Sequence, residues 1–423
     1  MPGRRAWFEI ALAVIVLSAT LFAAFSDAYN LPNRWFIRDD AYYYFKVAQN
    51  ISEGRGSTFD GIHITNGYHP LWLAISVPIF ALARIDLILP LRILALLIGA
   101  LQAATAILLY RLIRDTISEV AGVLAACFWA FNTHILVFLY KTGVESSVTL
   151  FLVLVLLHAL HRFEKTWRTR PPSLRQIAGL AALAVLVTFG RLDLAFFCLI
   201  VGIWIVFRDT PARFYLPFDL LALVIATVSA FVMRLGFAAY YDSQQAVTIM
   251  LVAEIVCKIP VFFLFGLYGK PSSGRRGQYL ARLVLAVAVG SSLPALVLLG
   301  GSAAGVLPVY SRAILLLEAA VTLGLVLGIR LGAVFFGTRS GPAGNLSSSS
   351  ELREHGRRWL REGAVFYGIL GGMLAAYMLW NQLAFGTPTP VSGQIKHWWG
   401  TFTHSIYGTS AGSWLTFFAL NPF

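Results

Sequence analysis

LWLAISVPIFALA, residues 71–83, decides how the rest of the chain is threaded. The stretch is apolar but interrupted by Pro78, and it falls short of the roughly 20 apolar residues that a helix needs to cross a hydrocarbon core. A segment of that length suits a helix buried in protein or lying at the membrane interface. Taken as non-spanning, it leaves nearly every basic cluster on one side of the membrane: Arg4/Arg5, Arg111/Arg114, 162–175, Arg208/Arg213, Arg275/Arg276 and 353–361. Taken as spanning, it sets Arg4 and Arg5 against all the later clusters. The first reading is the consistent one, and it puts the N-terminus in the cytoplasm and the C-terminus outside.

The apolar runs around this stretch define the class. With 423 residues, 58% hydrophobic and 13% charged, and a mean hydropathy of +0.73, the chain has more apolar surface than a soluble core can hide. Eleven segments are long enough to cross: 7–25, 88–112, 119–138, 146–162, 175–190, 193–208, 216–238, 247–268, 280–300, 312–336 and 363–384. In lipid such segments must be helical, because an isolated strand leaves its backbone unpaired. The expected fold is therefore all-α, a polytopic transmembrane bundle of about eleven spans in a cytoplasmic membrane. Arg4 and Arg5 before residues 7–25 resemble the start of a signal peptide, but no small-residue cleavage site follows, so this segment reads as a retained first span. The net charge of +13 lies between apolar segments rather than on one soluble face, which excludes a nucleic-acid partner. Cys127, Cys198 and Cys257 sit within apolar stretches at no metal-like spacing.

Residues 1–400 read as one membrane domain. Within it, 26–87 form a first external loop carrying two juxtamembrane helices, and 337–362, rich in Gly, Ser and Arg, form a flexible cytoplasmic linker. Residues 401–423 read as an external C-terminal segment, truncated if a further external domain follows. In the first juxtamembrane helix Ala41, Tyr44, Phe45, Ala48 and Ile51 share one face, while Lys46, Gln49, Asn50 and Glu53 face away.

Five polar constellations fall on the external side by this parity. RDDAYYYFKVAQN, residues 38–50, sets Asp39 beside Asp40 at a helix start. One aspartate there caps the helix and suits its positive dipole end, which leaves the second to act as a base or metal ligand. TNGYHPLW, 65–72, offers His69, either a structural histidine or a participant. YKTGVESS, 140–147, carries Lys141 and Glu145, either a solvated salt bridge or part of a site. FGRLD, 189–193, places Arg191 and Asp193 inside a long apolar run, where charges pair or line a cavity. TPTPVSGQIKHWW, 387–399, presents Gln394, Lys396 and His397 beside two tryptophans. Carboxylates with several cations suit an anionic ligand and a proton transfer, and the apolar body suits a lipid tail.

Taken together, these residues resemble the GT-C superfamily of membrane glycosyltransferases, which includes protein O-mannosyltransferases, lipid A aminoarabinose transferases and mycobacterial arabinofuranosyltransferases. The resemblance runs to about residue 400. It rests on the acidic pair Asp39 and Asp40 after span one, the His69-Pro70 helix start, the acidic Glu145 before span four, and the late loop GTPTPVSGQIK, 386–396. Glu145 stands where many relatives carry Asp, and RLD stands near where others place a lysine.

The resemblance implies an inverting transfer, at the outer face, from a polyprenyl-phosphate sugar donor to a hydroxyl acceptor. Asp39 would be the base, and Asp40 would orient the acceptor or, with Asp39, hold a divalent cation such as Mg or Mn. Lys141, Arg191 and Lys396 would face the leaving phosphate, with Glu145, His69 and Gln394 contacting substrate. Two other classes compete: a transporter or flippase for lipid-linked sugars, which needs no base, and a non-catalytic scaffold.

Overall fold

Long apolar runs close their backbone hydrogen bonds only within themselves, and the chain responds with helices almost throughout. The computed structural model describes residues 2–268, 276–335 and 348–400, and among these there is no strand, only an isolated bridge between Thr58 and Ile64. Among the described residues eight helices are long and apolar enough to cross a membrane, and a bent pair makes up to nine. The chain divides into two units, 1–199 with 364–395 and 200–363 with 396–423, and each is described by itself.

The first unit begins with α1 (Pro2–Ala24), α2 (Asp39–Ser52), α3 (Pro70–Phe80) and α4 (Leu89–Thr116). The stretch that decided the threading is α3 and a short 3-10 turn at Ala81–Arg84. It is not among the helices long enough to span. Pro70 opens α3 where a missing N–H costs nothing. α1 and α4 approach closely because Gly99 has no side chain; a Cβ there would lie 2.0 Å from Thr20 Oγ1.

α5 (Glu119–Phe131) and α6 (Thr133–Thr142) meet at a 47° bend on Asn132. Asn132 ends the first helix and caps the second, its Oδ1 accepting from the Ile135 N–H. Then come α7 (Ser146–Thr166) and α8 (Leu174–Gly190), the latter opened by a reciprocal Ser173/Gln176 capping box. Arg5 pairs with Glu119, and Arg111 with Glu9, so the basic ends of α1 and α4 and the start of α5 gather at one end of this unit.

α9 (Ala195–Val206) carries the chain into the second unit, which holds α10 (Ala212–Asp242), broken at Gly236, then α11 (Gln244–Leu264), α12 (Arg276–Ala303) and α13 (Arg312–Phe335). α14 (Ser348–Phe385) and α15 (Val391–Gly400) complete the described chain. The stretch expected to be a flexible linker, 337–362, is helical from Ser348 onward, and 337–347 lie outside the described residues, as do 401–423. Ionic pairs tie the second unit: Arg330 to Asp219 at 3.0 and 2.7 Å, Arg208 to Glu362, and Arg358 to Asp209. Asp209 lies outside the candidate spans; burial raises its carboxyl, but Arg358 and His355 outweigh burial and hold it below the usual range.

Two of the eleven apolar segments are short. Leu174–Gly190 has 17 residues, and Leu192–Val206, a 3-10 turn leading into α9, is shorter still.

Candidate functional site

The five constellations all begin in the first unit, and backbone and side-chain hydrogen bonds join them. The entry to α2 is fixed first: the N–H groups of Ile37 and Arg38 both donate to the Lys141 carbonyl at 3.2 Å. Behind that contact the turn from α6 to α7 is tight. Gly143 takes a left-handed φ of +58°, and a Cβ on it would come within 2.7 Å of Phe36. Its carbonyl accepts from the indole N–H of fully buried Trp72 on α3. So 38–50, 65–72 and 140–147 meet.

Asp39 and Asp40 occupy the first turn of α2, where the free N–H groups favour negative charge. Arg38, not an aspartate, sits at the cap position and supplies no side-chain bond, which corrects the expected capping role. Asp39 Oδ1 accepts from the Asp40 N–H at 3.0 Å. Both carboxylates are exposed, and no cation among the described residues pairs with either. Half of the remaining helix is buried: Ala41, Tyr44, Phe45, Val47, Ala48 and Asn50. Asn50, expected to face away, points inward instead and donates to the carbonyls of Thr58 and Phe59, because the loop backbone there needs a partner.

Glu145 lies at the start of α7 and is 6% exposed. The solvated salt bridge to Lys141 is not formed; three other groups surround the carboxylate. Tyr44 Oη donates to Oε2 at 3.1 Å, while His69 Nε2 stands 3.7 Å and Arg191 Nη1 3.9 Å from Oε1. Tyr44 also accepts from the His69 backbone N–H at 2.9 Å. His69 Nδ1 accepts from the Leu192 N–H at 3.2 Å, which places the proton of a neutral ring on Nε2, toward Glu145. Tyr44 is thus the hub that sequence reasoning assigned only to packing. Burial, then the charge of Glu145, raises its hydroxyl well above the ordinary tyrosine value.

Arg191 donates through Nε to Asp193 at 3.0 and 3.1 Å, so the mutual pair forms. Its other nitrogen faces Glu145, and the side chain also lines a cavity of about 750 Å3. The cavity walls are mostly apolar, with Trp129, Phe138, Leu150, Val153 and Leu194, and with Thr149 among the few polar groups. Thr149 Oγ1 is buried with no hydrogen-bond partner among the described residues.

The late loop docks on the second constellation through Asn66, fully buried. Its Oδ1 accepts from the Val391 N–H at 2.9 Å, and its Nδ2 donates to Asn381 Oδ1 and the Thr389 carbonyl. Gln394 is exposed and spends its amide on Thr387 and Thr389 within its own turn. Lys396 lies on α15, but its side chain and that of His397 are outside the described residues.

As a metal site, the described residues bring together no three His, Cys, Asp or Glu side chains. Asp39 and Asp40 supply two carboxylates, a number compatible with Mg when substrate phosphate and water complete the shell.

Compared with known protein families, curated proteins and solved structures, the chain matches none. Helix length and composition define its class, a multi-pass, all-helical membrane protein.

Proposed function

We propose that this protein is an inverting glycosyltransferase of the GT-C kind, moving a sugar from a polyprenyl-phosphate donor to a hydroxyl acceptor. The observation that carries the reading is Arg191, which lines the apolar cavity on one side and faces the Glu145–His69–Tyr44 cluster on the other. An amphiphile with an apolar tail and an anionic head fits such a junction. In this reading the acceptor oxygen attacks the anomeric carbon from the face opposite the phosphate. The carbon–oxygen bond to phosphate breaks with its electron pair, and Asp39 takes the hydroxyl proton.

Arg191, Lys141 and Lys396 offset the charge that grows on the leaving phosphate. Glu145 orients Arg191 and His69, and Gln394 contacts substrate. A divalent cation, Mg or Mn, would be held by Asp39 and Asp40 and would supply charge neutralisation at the phosphate.

The proposal includes an eleven-span topology with the site on the outer face of a cytoplasmic membrane and the N-terminus inside. Charge parity supports it. The 17-residue α8 would span about 26 Å at 1.5 Å per residue, enough with slight local thinning of the bilayer. Deletion of the gene, with mass spectrometry of prenyl-linked sugars and surface glycans, tests the function. Accumulation of a lipid-linked sugar together with loss of one glycan is expected. Asp39→Asn, expressed at normal levels, should leave both defects in place, with transfer reduced roughly 10²–10⁴-fold. Full restoration by Asp39→Asn sinks the catalytic assignment.

A transporter for lipid-linked sugars is the second reading. The buried Glu254, Lys258 and Glu318 of α11 and α13 favour it, since ionisable groups among apolar spans mark transport pathways in many membrane proteins. Under that reading Asp39→Asn transports normally.

A further inference from the structure

The second unit holds an ionic cluster that a glycosyl transfer does not use. Lys258 on α11 is fully buried, and its Nζ lies 2.7 and 2.5 Å from the two oxygens of Glu318 on α13. Thr322, one turn beyond Glu318, donates its hydroxyl to Glu318 Oε1 at 2.6 Å. Glu254, one turn before Lys258, brings Oε2 to 2.8 Å from Nζ. All four residues are at most 1% exposed, and all belong to helices apolar enough to span.

Charge counting then becomes decisive. Two carboxylates and one ammonium leave one uncompensated negative charge, in a setting where an unpaired charge is strongly disfavoured. No other cation among the described residues pairs with the cluster; Arg330 on α13 is committed to Asp219. The two carboxylates are also unequal. Glu318 accepts from Lys258 at both oxygens and from Thr322, a donor set suited to an anion. Glu254 Oε2, though near Nζ, is buried without a hydrogen bond of good geometry. We infer that this cluster is a proton-binding site: Glu254 carries one proton while Lys258 and Glu318 stay ionised, so the group is neutral within the membrane.

Infrared spectroscopy of the full chain in lipid nanodiscs at neutral pH tests this without reference to activity. A protonated-carboxyl carbonyl band that shifts in heavy water is expected in the wild type. Glu254→Gln should remove it while leaving the thermal midpoint nearly unchanged, since Gln replaces a neutral carboxyl of the same shape. Glu318→Gln should remove it too, because Glu254 then ionises to pair with Lys258. Absence of the band in the wild type, or its survival in Glu254→Gln, overturns the inference. If either variant fails to fold, isotope-edited glutamate spectra of the wild type decide alone, with the glutamate origin of the band supporting the site and its absence refuting it.

Discussion

Glu145 in the first unit stands 3.7 Å from the His69 ring and 3.9 Å from the Arg191 guanidinium, and the Arg191 side chain is half-exposed. Lys258 in the second unit holds its carboxylates at 2.5–2.8 Å with every side chain buried. The same kinds of residue serve different ends. The looser cluster, beside a cavity, keeps charge capacity available to a ligand; the tighter one spends its capacity internally. An ion pair fixed at contact distance and stripped of water has little left to offer a substrate, whereas one held slightly apart does.

The largest expected effect crosses the two regions. Lys258→Met should destabilise the fold by about 3–5 kcal/mol by leaving a buried carboxylate unpaired, seen as a large drop in thermal midpoint in detergent. Arg191→Met should change stability by less than about 1 kcal/mol, given its exposed pair with Asp193, and so leave that midpoint nearly in place, yet abolish most sugar transfer. A reversal of the two outcomes would break the contrast between an open and a closed cluster.

Glu145→Gln keeps an acceptor for Tyr44 but removes the charge facing His69 and Arg191. Transfer should fall about tenfold with little change in stability, consistent with the 1.5–3 kcal/mol of a charged hydrogen bond partly retained. Equal losses of folded yield and activity would make Glu145 a structural residue only.

Asn66→Ala should cost about 1–3 kcal/mol locally by orphaning the Val391 N–H and the Thr389 carbonyl, and limited proteolysis should then cut within 387–394. Unchanged cleavage would mean that the loop is held by other contacts.

The smallest effect is in the loop at 57–65. Asp60 is held well below the usual aspartate range, first by the His63 side chain and then by the backbone N–H groups of His63 and Ile62. A lowered carboxylate favours the ordered loop above its unfolded value of about 3.9 and loses that contribution as pH falls through the folded value. Exchange protection of the Ile62 and His63 amides should therefore be retained at mildly acidic pH and lost below the normal aspartate range. Protection independent of pH in Asp60→Asn would support the assignment, and the same independence in the wild type would remove it.

Much of the architecture was legible because apolar runs in lipid have one backbone solution. The apolar segments are helices, and Pro78 and its short run mark a helix too brief to span. The acidic pair was legible as a helix start, although its exact place in the first turn was not. Tyr44 was missed because a face assignment by period says only that a ring is buried, not what its hydroxyl meets. Asn50 and Asn66 were missed because a buried amide is recognised only by the distant backbone groups it satisfies. Glu254 and Lys258, four residues apart in an apolar run, were a visible signal that went unused, but no spacing pointed to Glu318 as the third member.

By itself the sequence determined the solvent of this protein and the helical answer to it, since about half the chain is too apolar for water and every buried peptide group must be paired. Only the tertiary structure decided which charges meet. Segments 38–50, 65–72, 140–147 and 189–193 converge through a few contacts between residues more than a hundred positions apart. Such contacts depend on how helices pack, and one-dimensional periodicity does not encode that.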